Sequence, residues 1–358
     1  MRRLPLFLSF GLLLGAVAAC SSPPQGSTPY TPTAAMMSIL ESRQAMHTLE
    51  PASLPLVRAR EVPAMIDAAR AIPNVKGLPA PIVDVPQVSS LTASGADGPL
   101  QARMFRPTLA KNTPVILYFP GGNWVSGSLD TYEETAKQLA IRSGWVVVSL
   151  RTRLAPEARF PAQHDDAFAL YQWARGHLRE WGADPTRVVL AGEGPGANLA
   201  LSTALLARDR AAAGMATPVP NYLLLVTPIA GTSTWTHSMW ENAGSQPLSR
   251  ATVRWAQRQY ASGDLDDPRI DIVDRPDLGG LPPTTIVLAE IDPLRTGGEQ
   301  LAEKLTAAGV KTQVRTFPGT TYDFFSLAAT VPDAALANDY AVSTMKAALA
   351  TPAPLSSR

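Results

Sequence analysis

Short apolar runs alternate with longer amphipathic stretches through most of the chain. The short runs are rich in aliphatic residues and predict buried strands, and the longer stretches have helical spacing. The predicted strands are Val115 to Phe119, Trp145 to Leu150, Val188 to Gly192, Tyr222 to Thr227, Thr284 to Glu290 and Thr312 to Phe317. The predicted helices are Tyr132 to Arg142, Asp165 to Trp181, Ala197 to Arg208, Glu299 to Ala308 and Ala334 to Ala348. This alternation predicts an α/β fold whose mostly parallel sheet is covered by helices on both faces.

Two regions lie outside this alternation. From Met36 to Ala71 apolar residues recur at helical spacing between prolines, which predicts two or three helices placed as a lid ahead of the sheet. A pair of strands, Ile82 to Leu91 and Leu100 to Phe105, is predicted to follow. The second region, Thr232 to Asp277, carries three tryptophans. We interpret this insertion as packing, as a cover over a substrate, or as both.

The first twenty residues have the pattern of a bacterial lipoprotein signal. Arg2 and Arg3 precede an apolar run from Leu4 to Val17, which is shorter than the roughly 20 residues that a membrane-spanning helix needs. The following Ala-Ala-Cys resembles a lipobox, so Cys20 is the predicted attachment site for acyl chains such as palmitate. An ordinary secretory signal is the alternative. With Ser21 after the cysteine, the resemblance implies an outer-membrane anchor facing the periplasm.

Composition indicates a folded globular protein. Of 358 residues, 46% are hydrophobic and 17% are charged, so the chain is too apolar to be disordered. The formal net charge is +1, and we find no basic stripe or basic motif. Such a chain has no electrostatic footprint for nucleic acid, and no nucleic-acid partner is predicted. Cys20 is its single cysteine, so no disulfide is predicted within the mature monomer.

The stretch from Val188 to Ala200 carries the most specific chemical signal. An apolar strand leads into a glycine-rich turn and then into small residues that suit a helix packed on a sheet. This order is typical of the nucleophile elbow, G-x-S-x-G, whose strained turn exposes a serine hydroxyl. The outer glycines are present as Gly192 and Gly196, but the nucleophile position is Gly194.

Four ordered motifs resemble the hormone-sensitive-lipase-like carboxylesterases of the α/β-hydrolase superfamily. They are Tyr118 to Trp124 for the oxyanion loop, Arg153 to Glu157 with Phe160 to Ala162, Ala191 to Ala200 for the elbow, and Asp292 to Arg295 for the triad acid. The resemblance implies an α/β-hydrolase fold with a helical lid. The predicted organisation is a signal peptide (1–19), a tether (20–34), lid helices (35–80), a hydrolase domain (81–350) with a cap-like insertion (232–277), and a tail (351–358).

This chain departs from the family at the reacting groups. The triad positions are Gly194, Asp292 and Tyr322, so serine and histidine are both replaced. Glycine has no hydroxyl, and a tyrosine with an ordinary pKa near 10 is a poor base at neutral pH. Asp292 has two interpretations: it accepts a hydrogen bond from Tyr322, or it caps the loop before Pro293, which we favour.

The oxyanion loop is altered as well. The residue after the nucleophile normally donates its backbone N–H to the oxyanion, but Pro195 has no N–H. Gly121 and Gly122 keep the donors of the loop itself. Asn123 replaces the third glycine of the loop motif, and because asparagine tolerates positive φ the loop shape is expected to persist.

Three other chemistries fit parts of the same sequence. Gly192 to Ala197 also matches a dinucleotide fingerprint, but Pro195 removes an amide from the phosphate cradle and no acid follows the next strand. The second chemistry is a rearranged hydrolase that uses another hydroxyl as its nucleophile. The hydroxyls near the expected pocket belong to Ser126, Ser128, Thr320 and Thr321. Glu193 and Asp323 flank the replaced positions and are a candidate acid/base pair, although acids at turns commonly have capping roles.

The histidines predict no metal site. They are His47, His164, His177 and His237. None forms an i, i+4 pair, and none has a cysteine partner. His164 opens a predicted helix, where we interpret it as part of a polar first turn. No metal and no cofactor are therefore predicted.

The function predicted from these residues is a lipid-anchored pseudo-hydrolase of the bacterial cell envelope. It lacks catalytic activity and binds either a small apolar ligand or another envelope protein. The alternative is a carboxylesterase or lipase-type hydrolase with a non-standard nucleophile. That alternative requires a hydroxyl and a base within hydrogen-bond reach of each other.

Overall fold

The structure, a computed structural model, describes residues 29–72, 84–261 and 263–350. The predicted signal peptide, Cys20, most of the tether, the end of the lid segment and the tail lie outside the described residues. No helix within the described ranges is both long enough and apolar enough to cross a bilayer.

An eight-stranded sheet forms the centre of the described chain, in the order β1-β2-β4-β3-β5-β6-β7-β8. Its strands are β1 Gln87–Gly95, β2 Gly98–Arg106, β3 Thr113–Phe119, β4 Val146–Leu150, β5 Ala183–Glu193, β6 Tyr222–Val226, β7 Thr284–Ile291 and β8 Thr312–Thr321. β2 runs antiparallel to β1 and β4, and the pairs from β4 through β3 to β8 are parallel. The predicted mostly parallel sheet is confirmed.

Helices cover both faces of the sheet. They are α1 Ala34–Ala45, α2 Leu56–Arg60, α3 Met65–Ala71, α4 Glu133–Ser143, α5 Ala162–His177, α6 Pro195–Ala212, α7 His237–Glu241, α8 Arg250–Ala261, α9 Arg295–Ala307 and α10 Pro332–Leu349. Alternate residues of β5 point to opposite faces: Val188 and Leu190 pack with α5, α6 and α9, whereas Val189 and Ala191 pack with α1, α3, α4 and α10. Because both faces are buried, the strands read as continuous apolar runs.

A third apolar cluster lies at the carboxyl ends of the parallel strands. It joins α2, α7 and α8 to the loop after β3, and its members include Ala59, Trp124, Met239, Tyr260 and Tyr322. A helix of the N-terminal segment and two helices of the insertion therefore meet over the edge where open α/β sheets bind ligands.

A buried ion pair fastens the motif that contains Arg153 to α5. Both oxygens of Asp166 accept hydrogen bonds from the Arg153 guanidinium, at 2.8 and 2.9 Å. Asp166 also accepts from the backbone N–H of Arg153 and of Ala96, in the turn between β1 and β2. Its side chain is fully buried, so four donors converge on one carboxylate that water cannot reach.

We predict that Asp166→Ala destabilises the protein by about 3 kcal/mol, because removing one partner leaves a guanidinium without its buried counter-charge. Urea unfolding measures the loss. The control is Asp165→Ala, which changes the exposed neighbouring carboxylate and should shift stability by less than about 0.5 kcal/mol. Equal losses in the two variants would contradict the prediction.

Candidate active site at the carboxyl ends of the strands

The turn between β5 and α6 has the geometry of an elbow. Gly194 adopts φ 51° and ψ −113°, and its N–H donates to the Val226 carbonyl at 2.9 Å. A Cβ on Gly192 would overlap the backbone of Gly196, and a Cβ on Gly196 would overlap the Phe119 carbonyl. The glycines at the two outer positions are therefore required by the close approach of backbone segments.

Tyr322 fills the space above Gly194. A Cβ on Gly194 would overlap the Tyr322 hydroxyl and would lie 3.2 Å from its Cζ atom. The Tyr322 ring is buried, and its hydroxyl has no hydrogen-bond partner among the described residues. Burial raises the pKa of Tyr322 well above 10, and the nearby carboxyls of Asp323, Asp292 and Glu193 raise it further. The hydroxyl is thus protonated, as expected for a group that cannot act as a base.

Asp292 caps the loop that follows β7. Its Oδ1 atom accepts a hydrogen bond from the Leu294 N–H at 2.8 Å, whereas Oδ2 has no partner among the described residues. No hydrogen bond joins it to Tyr322 in the described structure. Burial raises the pKa of Asp292 to about 7. The geometry is that of the loop cap, the interpretation favoured from the sequence.

The oxyanion loop keeps its shape despite its altered sequence. Gly122, Asn123 and Trp124 have φ values of 110°, 54° and 60°. The Gly122 carbonyl accepts from the N–H groups of Val125 and Ser126, which folds the loop into a tight turn. Within the described chain, the N–H groups of Gly122 and Asn123 donate to no other group. They remain available to a ligand oxygen in the adjoining cleft.

A cleft of about 310 Å³ opens beside this loop. Its walls come from the N-terminal helices, the oxyanion loop, α8 and the end of β8, and they include Arg43, Met65, Asn123, Leu248 and Asp323. Pro195, Gly194 and Asp292 are not among the residues that line it. The structure therefore brings Asn123, Gly122 and Tyr322 together around the cleft and places the other triad positions beneath it.

Glu193 and Asp323, the acids next to Gly194 and Tyr322, have different environments. Glu193 is buried under the sheet edge, and its Oε1 accepts from the Tyr118 hydroxyl at 2.6 Å. Burial, followed by the charge of Asp323, raises the pKa of Glu193 to about 8. Asp323 instead lines the cleft, so only one member of the candidate acid/base pair faces it.

Tyr132 fixes Asp323 next to the oxyanion loop. The Tyr132 hydroxyl donates to Asp323 Oδ1 at 2.9 Å. It also packs on Gly121, where a Cβ would lie 2.5 Å from it. Asp323 has φ 67°, a left-handed conformation that aspartate tolerates better than most residues. Burial raises its pKa to about 6, while the hydrogen bond from Tyr132 and the charge of Arg43 oppose the rise.

None of the candidate hydroxyls has a base beside it. Ser126 Oγ donates to the Gly122 carbonyl at 3.1 Å, and Ser128 Oγ pairs with Thr131. Thr320 and Thr321 are buried and bond to the backbone carbonyls of Phe317 and Tyr322. Of these four, only Ser126 lines the cleft.

His164 lies in the first turn of α5, but its imidazole is buried, which the sequence did not indicate. Nδ1 contacts the Tyr260 hydroxyl at 2.7 Å, and Nε2 contacts Asn198 and the Arg269 carbonyl at 3.1 Å. Burial lowers the pKa of His164 to about 4, so the ring is neutral at pH 7. It joins α5 to α6 and to the insertion, outside the cleft.

The other histidines do not line the cleft. His177 contacts the Trp173 carbonyl, and the exposed His237 pairs with Glu241. His47 is not among the residues that line the cleft. In the parts of the chain that the structure describes, no three histidine, cysteine, aspartate or glutamate side chains come close enough together to hold a metal ion.

The sequence analysis missed Arg43 and Tyr132. Arg43 lies on α1, is almost fully buried, and donates to Gln246 Oε1 at 2.8 Å and to the Pro63 carbonyl at 3.2 Å. A charged residue among the apolar positions of α1 was the available signal, because a buried charge needs a reason. Tyr132 gave no signal, since its role depends on contacts with Asp323 across 191 residues.

A family model described as an α/β-hydrolase fold matches residues 116–326. The chain is 36% identical over 248 residues to carboxylesterase NlhH of Mycobacterium tuberculosis, covering 68% of this chain and 76% of that protein. It is 35% identical over 257 residues to carboxylic ester hydrolase LipN of the same organism, covering 70% and 68%. An esterase structure from Pyrobaculum calidifontis has a TM-score of 0.75 at 30% identity and covers 85% of this chain and 97% of its own.

These similarities contradict the prediction of an inactive pseudo-hydrolase that serves only as a ligand-binding or protein-interaction module. Relatives of this similarity are named carboxylesterase, carboxylic ester hydrolase and esterase, which supports a hydrolase function. The prediction rested on the identities of Gly194 and Tyr322 at the expected triad positions. It gave little weight to Asp323, a carboxylate that the fold places in the cleft beside the oxyanion loop.

We predict that Gly194→Ala destabilises the native protein by about 1 to 3 kcal/mol, because the new Cβ displaces the Tyr322 hydroxyl. In a Tyr322→Phe background the same change should cost at least about 1 kcal/mol less, since the overlapping oxygen is gone. Urea unfolding of the four proteins in this double-mutant cycle measures the coupling. Equal costs in both backgrounds would show that Tyr322 does not restrict position 194.

Proposed function

The chain belongs to the α/β-hydrolase fold family, and within it we propose a carboxylic-ester hydrolase in which Asp323 acts as general base on a water molecule. The position of Asp323 carries the proposal. It lines the cleft, is fixed by Tyr132, and lies next to the loop that offers the N–H groups of Gly122 and Asn123. The esterase names of the relatives support the substrate class.

Water replaces serine as the nucleophile in this mechanism. Asp323 Oδ2, which accepts no hydrogen bond within the described chain, takes a proton as the water oxygen attacks the ester carbonyl carbon. The carbonyl oxygen gains negative charge and is stabilised by the free N–H groups of the oxyanion loop. When the tetrahedral intermediate collapses, the carbon–alkoxide bond breaks. The alkoxide recovers the proton from Asp323, and the products are an alcohol and a carboxylic acid.

The pKa of Asp323 suits this task. An ordinary aspartate near 3.9 is a weak base, whereas burial raises the pKa of Asp323 to about 6. It is then both ionised at pH 7 and more basic than an exposed carboxylate. The missing donor at Pro195 makes the site slower than one with three donors, by roughly a hundred- to thousand-fold per lost donor.

We expect hydrolysis of short-chain p-nitrophenyl esters above a heat-killed control. Asp323→Asn should lower kcat by about a hundred-fold or more, because asparagine accepts the left-handed conformation but not a proton. Asp130→Asn, at an exposed carboxylate outside the cleft, is the matched control. Native turnover equal to the heat-killed control would overturn the proposed activity, and turnover unaffected by Asp323→Asn would overturn the assignment of the base.

The pH profile gives a further check of the same residue. Since the base must be ionised, kcat/KM should rise with pH and level off above about pH 6, the pKa of the buried carboxyl. Below this value Asp323 is protonated and the rate should fall ten-fold per pH unit. A profile without an inflection between pH 5 and 7 would exclude Asp323 as the titrating group.

We further propose that the enzyme is a lipoprotein of the outer membrane, anchored through Cys20 and facing the periplasm. The basic residues, the short apolar run and the single cysteine of the first twenty residues support this localisation. Several acyl chains on one residue would hold the chain at the membrane stably, whereas one chain binds only reversibly.

Growth with labelled palmitate tests the anchor. We expect label on the native chain and on Ser22→Ala, and none on Cys20→Ala, because only Cys20 would carry acyl groups. Fractionation should recover the labelled protein with the outer membrane. Label that persists in Cys20→Ala, or that is absent from the native chain, would contradict this assignment.

A further inference from the structure

Two exposed tryptophans and an arginine form one surface next to α7. Trp235 is 70% exposed and Trp240 is 38% exposed, and their ring centroids lie 5.4 Å apart. The Arg250 guanidinium lies 4.8 Å from the Trp235 ring centre and 3.9 Å from that of Trp240. It also donates to the Thr234 carbonyl at 2.8 Å, which fixes it between the two indoles. We call these three residues the Trp–Arg patch.

A row of arginines continues the patch along α8. Arg250, Arg254 and Arg258 follow each other at four-residue spacing and therefore share one helix face. Arg254 and Arg258 are exposed and form no ion pair within the described chain. The row does not show as a basic stripe in the linear sequence, because Trp255 and other uncharged residues stand between the arginines. Asp264 and Asp266 follow the C-terminal end of α8, so the excess positive charge lies at its N-terminal end, next to the Trp–Arg patch.

The chain enters the folded domain at the same place. Tyr30, near the start of the described residues, lies under the Arg295 guanidinium at 5.0 Å and donates to the Glu241 carboxylate at 3.3 Å. Glu241 is the residue after Trp240 at the end of α7. The segment that arrives from Cys20 therefore meets the domain beside the Trp–Arg patch.

We infer that the Trp–Arg patch and the arginine row of α8 form a docking surface for a phospholipid bilayer with anionic head groups. The inference rests on the proposed anchor at Cys20, and it is independent of the proposed ester hydrolysis. Tryptophan rings prefer the interface between head groups and acyl chains, and arginines attract anionic lipids.

The reach of the tether favours this face over the others. From Cys20 to Tyr30 the chain spans at most about 3.5 Å per residue, or about 35 Å in all. A folded domain of this length is roughly 50 Å across. An anchor at Cys20 therefore holds the membrane on the side of the molecule where α7 and α8 lie. A protein partner would use the same aromatic residues. The proposed anchor at Cys20, however, keeps a membrane within reach of this surface, and no feature of the sequence or the fold does the same for a protein.

Docking would also orient the cleft. Thr252 of α8 lines the cleft, while Arg250 and Arg254 of the same helix lie on the proposed membrane face. Since two residues correspond to about 200° of rotation along a helix, Thr252 lies on the opposite face of α8 from Arg250, and α8 would stand between the bilayer and the cleft in a domain that rests on this surface.

The test uses the full chain reconstituted into vesicles of phosphatidylethanolamine and phosphatidylglycerol that contain a brominated phosphatidylcholine quencher. The other five tryptophans are buried or only partly exposed, so lipid quenching reports mainly on Trp235 and Trp240. We expect strong quenching of tryptophan fluorescence in the native chain and loss of most of it in Trp235→Ala/Trp240→Ala. Arg254→Glu/Arg258→Glu should lose quenching by weakening attraction to phosphatidylglycerol.

Arg179→Glu is the matched control, because it reverses an exposed arginine just after α5, outside the proposed surface. It should quench as the native chain does. Vesicles without phosphatidylglycerol should give weaker quenching, and so should 1 M salt, which shortens electrostatic reach to about 3 Å.

The outcomes separate the anchor from the docking surface. If the native chain fails to float with the vesicles, the anchor is wrong and the inference is overturned with it. If the chain floats but its tryptophans are not quenched, the anchor stands and the docking surface is overturned. Equal quenching with and without phosphatidylglycerol would overturn the role of anionic head groups.

Discussion

The close approach of backbone segments at the turn between β5 and α6 is the constraint on which the site depends. Gly196 packs on the Phe119 carbonyl, and Gly192 packs on Gly196, with no room for a side chain at either position. This contact fixes the oxyanion loop after β3 against the start of α6. The loop in turn holds Tyr132 through Gly121, and Tyr132 holds Asp323. The glycines therefore persist at a turn that exposes no nucleophile, because the geometry of the cleft depends on them.

Buried carboxyls dominate the electrostatics of this region. Burial is the largest cause of the raised pKa values of Glu193, Asp292 and Asp323, and the charge of Asp323 raises the pKa of Glu193 and of Asp292 further. Their partners are tyrosine hydroxyls and backbone N–H groups, which stabilise a carboxylate without neutralising its charge. Arg43 is the buried cation whose charge opposes the rise at Asp323. Desolvation therefore sets the pKa values of these three carboxyls. Asp323 is the one of the three that lines the cleft and can exchange a proton with it.

The fold was predictable from the sequence because its signals are local. Apolar runs such as Val115 to Phe119 and Tyr222 to Thr227 mark buried strands by composition, and the elbow is specified by glycines four residues apart. The site was less predictable because its interactions are not local. The contact of Tyr132 with Asp323, the burial of His164 between α5 and α6, and the position of Arg43 all depend on side chains that meet only in the folded chain. Position in the sequence singled out Gly194, Asp292 and Tyr322, but not Asp323 as the carboxylate that lines the cleft.

The overlap between position 194 and Tyr322 also limits the order in which this sequence could change over evolutionary time. A serine gained at position 194 while tyrosine remains at position 322 would have to displace the Tyr322 hydroxyl to make space for its own Cβ atom. Exchange of the tyrosine for a smaller residue meets no such obstacle, because Gly194 has no side chain that could overlap with the new residue. A lineage that moved between this site and a serine-based one would therefore change position 322 while position 194 is glycine.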